Sequence, residues 1–344
     1  MRKTFQFKWE RFLISKQKLR KYFKRKLFLQ SAVWIRSRIL HLMRMDLTCI
    51  DVTDPRIRST DLISLDQFEF VVVNKVTLHV LSGAAFSNIE DIPATMLAQS
   101  SIWDPIYGMN DFGLVPKNPP KFDSHNFNLM AVPHSKNYFH WVIDYLPFIA
   151  AAKKIDAKAR YICSENLTQY QLDSLSWLQI EPELIHQSDW IMTENVILPK
   201  RRHLSGSPSI HTLEFLRKSF EPLALDNECA SLRLYISRRY SSRALQNEVE
   251  IEEILEENGF ETLYLERLSF KDQVQKFANA DIIIAPHGAG LTNILWCKEG
   301  TKVIELTTSN VFNPCYRNLS NQIGLNHAFI SADKLFEFIR TNQF

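Results

Sequence analysis

Residues 281–297 read D-I-I-I-A-P-H-G-A-G-L-T-N-I-L-W-C, and this stretch decides the fold of the second half of the chain. The β-branched run at 282–284 is typical of a parallel strand that is covered on both faces. Gly288 and Gly290 allow the backbone to turn sharply and to approach a ligand closely. Apolar residues then recur at helical spacing, which predicts a helix whose first amide groups face the turn. The junction therefore predicts a site for a phosphate or a diphosphate.

The glycine pattern differs from two common nucleotide motifs. Asn293 stands where the dinucleotide fingerprint needs its third glycine, and Leu291 stands where a P-loop needs its lysine. A nicotinamide or flavin enzyme and an ordinary nucleotide triphosphatase are both disfavoured.

Arginines follow the strand that is predicted at 232–237. Because ligands of open parallel sheets lie outside the carboxyl ends of the strands, these arginines are expected to face the same crevice as the glycine turn. A guanidinium group donates two parallel hydrogen bonds to a phosphate and keeps its charge. The alternative is a solvated basic loop, in which Glu248 pairs with Arg243 or favours the start of the next helix.

Glu305 lies at the end of another predicted strand, 302–306. Its carboxylate could accept hydrogen bonds from the two hydroxyls of a ribose, as an acidic residue does in other nucleotide folds. A surface or helix-capping position is an equally open alternative.

Strands and helices alternate from residue 231 onward, which predicts a doubly wound α/β domain. Asn258 and Gly259 are of the types that commonly end a helix, and Ser269 followed by Asp272 is a common pattern at a helix start. The predicted elements are strand 232–237, helix 248–258, strand 260–265, helix 269–279, strand 281–285 and strand 302–306.

Several motifs occur together in an order and spacing that resemble glycosyltransferase family 61, the capsular polysaccharide type. They are N-Y-F-H-W-V-I-D-Y-L-P at 137–147, L-Y-I-S-R-R at 234–239, A-P-H-G-A-G-L-T-N at 285–293 and V-I-E-L at 303–306. The resemblance implies a GT-B-like α/β fold with two Rossmann-like domains that face a central cleft. It also implies inverting hexosyl or pentosyl transfer from a nucleotide sugar, uridine-linked by this analogy, to a glycan or lipid-linked acceptor. No obligatory metal and no cofactor are implied.

The residues agree with metal-free chemistry, since no D-x-D pair occurs anywhere in the sequence to hold a cation against a diphosphate. Arginines and amide groups are then expected to neutralise the leaving diphosphate. The predicted donor-binding residues are Ser237, Arg238, Arg239, Arg243, His287, Gly288, Ala289, Gly290, Leu291, Thr292, Asn293 and Glu305.

The predicted catalytic residues are His140 and Asp144, which lie four positions apart in a segment with helical character. This spacing places both side chains on one face of a helix. Asp144 could remove the proton of the acceptor hydroxyl, or it could orient His140 for that purpose. The alternative is a buried His–Asp hydrogen bond with a purely structural role. A zinc site is disfavoured, because the sequence has no third candidate ligand at a spacing typical of zinc sites.

Length favours two domains, and the predicted boundaries are a basic segment at 1–45, an acceptor domain at 46–223 and a donor domain at 224–344. Residues 221–228 are predicted to form the linker between the two domains.

Basic charge is concentrated at the start of the chain, where residues 1–44 hold fourteen Lys or Arg and one acid. Eight aromatic residues are interleaved with them, a mixture that favours an anionic bilayer surface over a docked helix, a disordered tail or nucleic-acid contact. No run approaches the ~20 apolar residues of a membrane span, and no clear signal peptide is present. Five cysteines without C-x-x-C favour a reducing cytoplasm, at the inner face of the membrane.

Three classes of function remain open at this point. The leading one is a glycosyltransferase that acts on a polysaccharide or glycolipid. The others are a polysaccharide pyruvyltransferase-like enzyme, which would use phosphoenolpyruvate, and a non-catalytic nucleotide or glycan binder.

Overall fold

The protein is a mixed α/β structure with two β-sheets. The computed structural model describes residues 49–50, 59–65, 68–79, 84–89, 92–97, 121–122, 127–129, 137–163, 167–184, 190–200, 206–224, 232–307 and 313–341. The basic segment 1–44 and the predicted membrane contact lie outside the described residues.

The first sheet contains ten strands in the described part of the chain. They are β1 (Cys49–Ile50), β2 (Ser59–Leu65), β3 (Phe68–His79), β4 (Ala84–Ile89), β5 (Ile92–Leu97), β6 (Lys121–Phe122), β7 (Phe127–Leu129), β8 (Arg160–Cys163), β9 (Pro182–Leu184) and β10 (Trp190–Lys200). The order is β1-β5-β4-β3-β10-β7-β8-β9, with β2 beside β3 and β6 beside β10. A long antiparallel pair, β3 with β10, joins an antiparallel region to the parallel strands β7, β8 and β9.

The second sheet is entirely parallel. Its strands are β11 (Leu232–Ile236), β12 (Glu261–Leu263), β13 (Ala280–Pro286), β14 (Lys302–Thr307) and β15 (Asn326–Ser331). The order is β12-β11-β13-β14-β15. Because β12 lies on one side of β11 and the later strands lie on the other, the strand order reverses between β11 and β13. In open α/β sheets, the carboxyl end of such a switch point is where ligands bind.

Helices connect the strands and cover the sheets. The α-helices are α1 (Tyr138–His140), α2 (Leu146–Ile155), α3 (Gln169–Trp177), α4 (Ile210–Ala224), α5 (Glu248–Glu257), α6 (Phe270–Ala278), α7 (Cys315–Gln322) and α8 (Leu335–Arg340). One π-helical turn, Trp141–Tyr145, joins α1 to α2, and 3₁₀ helices occupy Leu265–Arg267, Ala289–Trp296 and Ala332–Lys334. No helix within the described ranges is long and apolar enough to cross a membrane.

Strand β13 is buried on both faces, as the β-branched run predicts. Ile283 packs into a core that also contains Phe270 of α6 and Leu216 of α4. Ile282 and Ile284 point into a separate core on the opposite face of the sheet. Since α4 precedes the second sheet in the chain, its apolar face joins the two halves of the molecule in one core.

The predicted elements from residue 232 onward are confirmed within one or two residues at most boundaries. Gly259 has a φ of 78° after the end of α5, and the Ser269 side chain accepts a hydrogen bond from the Asp272 amide at the start of α6. The first half differs more from expectation. Its sheet is mixed, so an all-parallel Rossmann-like sheet is present only in the second half. The predicted linker is also partly wrong, because α4 continues to Ala224.

Candidate active site

The turn after β13 is held in place by an arginine. The Arg238 Nη1 group donates a hydrogen bond of 2.6 Å to the carbonyl oxygen of His287. The guanidinium lies so close to Gly288 that a Cβ added there would be 2.9 Å from Nη1. Gly288 has an extended backbone with φ 168°. Glycine is therefore required at Gly288 because Arg238 packs against it, and not because the backbone is left-handed.

The helix that follows the turn is a 3₁₀ helix, Ala289–Trp296, and not the predicted α-helix. Its first internal hydrogen bond runs from the Leu291 amide to the Gly288 carbonyl oxygen at 3.0 Å. A Cβ on Gly290 would lie 2.8 Å from Leu265 Cδ1, so this glycine serves close packing inside the fold. The amide of Ala289 precedes the first internal bond, as the donor groups at a helix start do.

Three residues predicted to bind the donor are instead buried behind the turn: Leu291, Thr292 and Asn293. Asn293 receives a hydrogen bond from the Tyr138 hydroxyl at 2.5 Å and donates one to the Gln273 Oε1 atom at 2.8 Å. These contacts join α1, α6 and the 3₁₀ helix. The structure thus gives Asn293 a role in supporting the turn, and the donor contacts of the three residues stay a prediction.

The arginines after β11 separate into two groups. Arg243 lines an open cleft with His287, Gly288 and Ala289. Burial lowers the pKa of Arg238, and the nearby positive charge of Arg243 lowers it further. A cation whose pKa is lowered by a neighbouring cation is stabilised when an anion binds nearby.

Arg239 and Ser237 are directed to α5 and not to the cleft. Arg239 forms an ion pair of 3.0 Å with Glu252, and the Ser237 hydroxyl donates to the same carboxylate at 2.6 Å. Glu248 is also buried and accepts hydrogen bonds from the Tyr235 hydroxyl and the amides of Arg238 and Leu245. In the structure Ser237 and Arg239 make contacts that fix the loop, and their predicted donor contacts stay a prediction.

Glu305 is 1% exposed and lies behind His287. One carboxylate oxygen is hydrogen-bonded to Nδ1 of His287, and the other is 3.0 Å from Nε2 of His327. Burial raises the pKa of Glu305, but the bonds from His287 and His327 outweigh it and hold the pKa below its ordinary value. In the structure Glu305 orients His287, and the ribose contact expected of Glu305 stays a prediction.

His140 also lines the cleft. Its Nδ1 atom lies 2.8 Å from the Asp144 Oδ2 atom. The Asp144 Oδ1 atom accepts a hydrogen bond of 2.8 Å from the Gly206 amide. Asp144 is 5% exposed, whereas His140 is 22% exposed and lines the cleft. Asp144 lies in the π-helical turn, a feature that is frequent at functional sites.

The cleft has a volume of about 440 Å³ and brings His140, Arg243, His287 and Gly288 together. It also contains residues that sequence reasoning did not assign to the site. They are Asn137, Phe139, Gly206, Ser207, Asn313, Pro314, Cys315, Tyr316 and Asn318. The loop at 206–209 and the start of α7 carry no periodic or charged motif, so nothing local in the sequence marks them. Among the described residues, no group of three or more His, Cys, Asp or Glu side chains is placed to hold a metal ion.

A change of Gly288 to alanine is expected to weaken anion binding without unfolding the protein. The new Cβ displaces the flexible Arg238 side chain and breaks its bond to His287, and a charged hydrogen bond of this kind contributes about 1.5–3 kcal/mol. The binding of a nucleoside diphosphate should therefore weaken roughly tenfold or more, as measured by calorimetric titration.

Gly290→Ala is the matched comparison for this variant. Its Cβ enters the packed contact with Leu265 and Ile236, so it should lower the free energy of unfolding by about 1–3 kcal/mol. The assignment of Arg238 would be contradicted if Gly288→Ala left diphosphate binding intact.

Replacement of Glu305 by glutamine is expected to give a pH-dependent loss of stability. Because the pKa of Glu305 is lowered in the folded protein, its stabilisation is full at neutral pH and disappears as the pH falls through that lowered value. Urea unfolding at neutral pH should show a loss of about 1.5–3 kcal/mol, and the difference from the native protein should shrink in acid. Glu266→Gln, at an exposed position, should show no such difference. A loss that is equal at all pH values would exclude an ionised Glu305.

The cleft combines a cationic turn at the switch point of a parallel sheet with a histidine that is oriented by a carboxylate. Residues 138–304 match the family model of Glycosyltransferase 61. The match covers slightly less than half of the chain and contains His140, Asp144, the arginines and the Gly288 turn.

A curated relative is also similar to part of this chain. It is the EGF domain-specific O-linked N-acetylglucosamine transferase of Drosophila melanogaster, which is 35% identical over 96 residues. The aligned segment is 27% of this chain and only 18% of the fly protein. Together, the family 61 match and this relative support a glycosyltransferase.

Proposed function

We propose that the protein is an inverting, metal-independent glycosyltransferase that moves a sugar from a nucleotide sugar to a hydroxyl group. One observation carries the proposal: Arg243, His287 and the Gly288 turn line the same cleft as His140. A diphosphate and an acceptor hydroxyl can therefore meet at one sugar carbon.

The residues around Gly288 supply the positive charge and the hydrogen-bond donors that neutralise the leaving diphosphate. Arg243 and the Ala289 amide are the expected donors to the diphosphate, while Arg238 holds the turn from behind. His287, fixed by ionised Glu305, adds a further donor when it is protonated. Groups that are fixed before the reaction stabilise the developing charge without having to reorganise. This electrostatic stabilisation is often the largest single contribution to catalysis.

The His140 side supplies the base. Both oxygens of Asp144 are already engaged, by His140 and by the Gly206 amide, and the carboxylate is buried. We therefore assign Asp144 as the positioning residue and His140 as the group that takes the acceptor proton. As the acceptor oxygen forms its bond to the anomeric carbon, the bond from that carbon to the diphosphate oxygen breaks. Attack from the face opposite the diphosphate inverts the configuration of that carbon.

The finer identity of the substrates is part of the same proposal. We infer a uridine-linked hexose or pentose as donor and a glycan or lipid-linked acceptor, as in capsule biosynthesis. Because the fly relative is an N-acetylglucosamine transferase, this sugar is among the first donor sugars to test. We also retain a GT-B-like arrangement with the proposed boundaries 46–223 and 224–344, and cytoplasmic membrane contact through residues 1–44.

Thermal unfolding in the presence of a chelator tests the donor class directly. Uridine, guanosine, cytidine and thymidine diphosphates are compared with phosphoenolpyruvate. A true ligand at 100 times its Kd should add about 2.7 kcal/mol to the free energy of unfolding. We expect stabilisation by one nucleoside diphosphate without added metal. Stabilisation by phosphoenolpyruvate alone would contradict the proposal and favour a pyruvyltransferase.

A further inference from the structure

A second histidine contacts Glu305 from the next strand of the parallel sheet. It is His327 on β15, whose side chain is 1% exposed. Its Nε2 atom is 3.0 Å from one oxygen of Glu305, and its Nδ1 atom is 2.8 Å from the Ser320 hydroxyl on α7. Because both ring nitrogens have partners, the ring is fixed in one orientation. These contacts extend a chain of hydrogen bonds from His287 in the cleft to Ser320 on α7.

The charge of Glu305 decides where the hydrogens of this chain lie. Burial raises the pKa of Glu305, but the two histidine contacts outweigh it, so the pKa is below its ordinary value and the carboxylate is ionised at neutral pH. An ionised carboxylate only accepts hydrogen bonds. Nε2 of His327 and Nδ1 of His287 must therefore both carry a hydrogen. Nε2 of His287 is then the ring nitrogen that remains for a ligand in the cleft.

His287 is also held through its backbone and through the face of its ring. Its amide donates to the Leu306 carbonyl oxygen at 3.1 Å, and its own carbonyl oxygen accepts from Arg238. Its ring makes an edge contact with Tyr316 on α7, with 5.3 Å between the ring centroids. The hydrogen bond to Glu305 therefore selects which ring nitrogen faces the cleft.

We propose that His327 is a positioning residue for the leaving diphosphate, and this inference rests on the proposed transferase function. A carboxylate that is held by a single donor can rotate about its side-chain torsions. The bond from His327 fixes one oxygen of Glu305, so that the other oxygen stays on Nδ1 of His287. The imidazole then presents Nε2 to the diphosphate, in the tautomer that the carboxylate selects.

Nitrogen-15 NMR of the histidine rings tests this proposal without any substrate, and His287→Ala assigns the His287 signals. We expect a hydrogen on Nδ1 of His287 in the native protein. His327→Leu removes the donor to Glu305, so it should give a mixture of tautomers at His287. It should also weaken the binding of uridine diphosphate roughly threefold to tenfold, which is the loss of about one hydrogen bond. His327→Gln should restore most of both properties, because its side-chain amide can donate to Glu305.

Two further variants make the test specific. Ser320→Ala removes only the last hydrogen bond of the chain, so it should change the tautomer of His287 in the same direction by a smaller amount. It gives the answer if His327→Leu does not fold. His211→Gln, at an exposed histidine on α4, is the matched control and should leave the tautomer and the affinity unchanged.

Two outcomes would overturn the proposal. One is a native protein in which Nδ1 of His287 carries no hydrogen, and the other is a native tautomer of His287 in both His327→Leu and Ser320→Ala. A native protein that has the expected tautomer but binds no nucleoside diphosphate overturns the transferase function instead, and the positioning of His287 by His327 then stands.

Discussion

His140→Ala should lower kcat by about 10²- to 10⁴-fold, the usual contribution of a positioned general base. Donor affinity should stay within a few-fold of the native value, because the proposed diphosphate contacts are made by Arg243 and the Ala289 amide and not by His140. Steady-state kinetics and nucleotide titration on the same preparation separate these two effects. His211→Ala is the matched control, since His211 is an exposed histidine on α4 that contacts Glu214.

Asp144→Asn distinguishes positioning from direct proton removal. An asparagine keeps the size of the side chain but removes the charge that orients and supports a protonated His140. We expect a loss in kcat, because the imidazole stays in the cleft but loses the carboxylate that supports it as the base. If Asp144→Asn abolishes activity at every pH while His140→Ala remains active, Asp144 itself is the base and the assignment is wrong.

Arg243→Ala should have the second largest effect. Removal of one donor to developing charge costs about 2.7–4 kcal/mol of transition-state stabilisation, or roughly 10²- to 10³-fold in kcat. Arg243 is exposed in the cleft, so the change should leave the fold intact. Affinity for uridine diphosphate should also fall, and should recover only in part in Arg243→Lys, because an ammonium group cannot reproduce the planar fork.

Arg239→Ala provides the comparison for Arg243→Ala. The two arginines are four positions apart, but Arg239 pairs with Glu252 on α5 and lies away from the cleft. We expect near-native kcat and diphosphate affinity for this variant. Equal losses in both variants would indicate a general effect of loop charge and would contradict a specific Arg243 contact.

The second half of the fold was predictable because its signals are local. The β-branched run at 282–284, the helix ends at Gly259 and Ser269, and the arginines after β11 each occur within a few residues. The His140–Asp144 contact follows from a four-residue spacing as well. Such features predict where the cleft lies.

The partners of individual side chains were not predictable, because they come from distant parts of the chain. Asn293 is held by Tyr138, 155 positions away, and Glu305 is enclosed by His327 on the next strand. Arg239 is neutralised by Glu252 on α5. A sequence pattern cannot show which of these residues are buried and which are exposed, because their partners are far away in the chain.

The first sheet and the part of the cleft that α7 forms could not be predicted, for a similar reason. Strands β3 and β10 pair across more than 100 residues, and no local spacing sets that register. Asn318 acquires meaning only from the cleft that it lines. A neutral amide on a short helix gives no sequence signal of its own.

A crystal structure with uridine diphosphate, grown without divalent cations, tests the central claim most directly. We predict that the diphosphate lies within hydrogen-bond distance of Arg243 and the Ala289 amide, with its outer phosphate directed toward His140. A diphosphate bound elsewhere, or one that leaves Arg243 and the Gly288 turn without contact, would contradict the account.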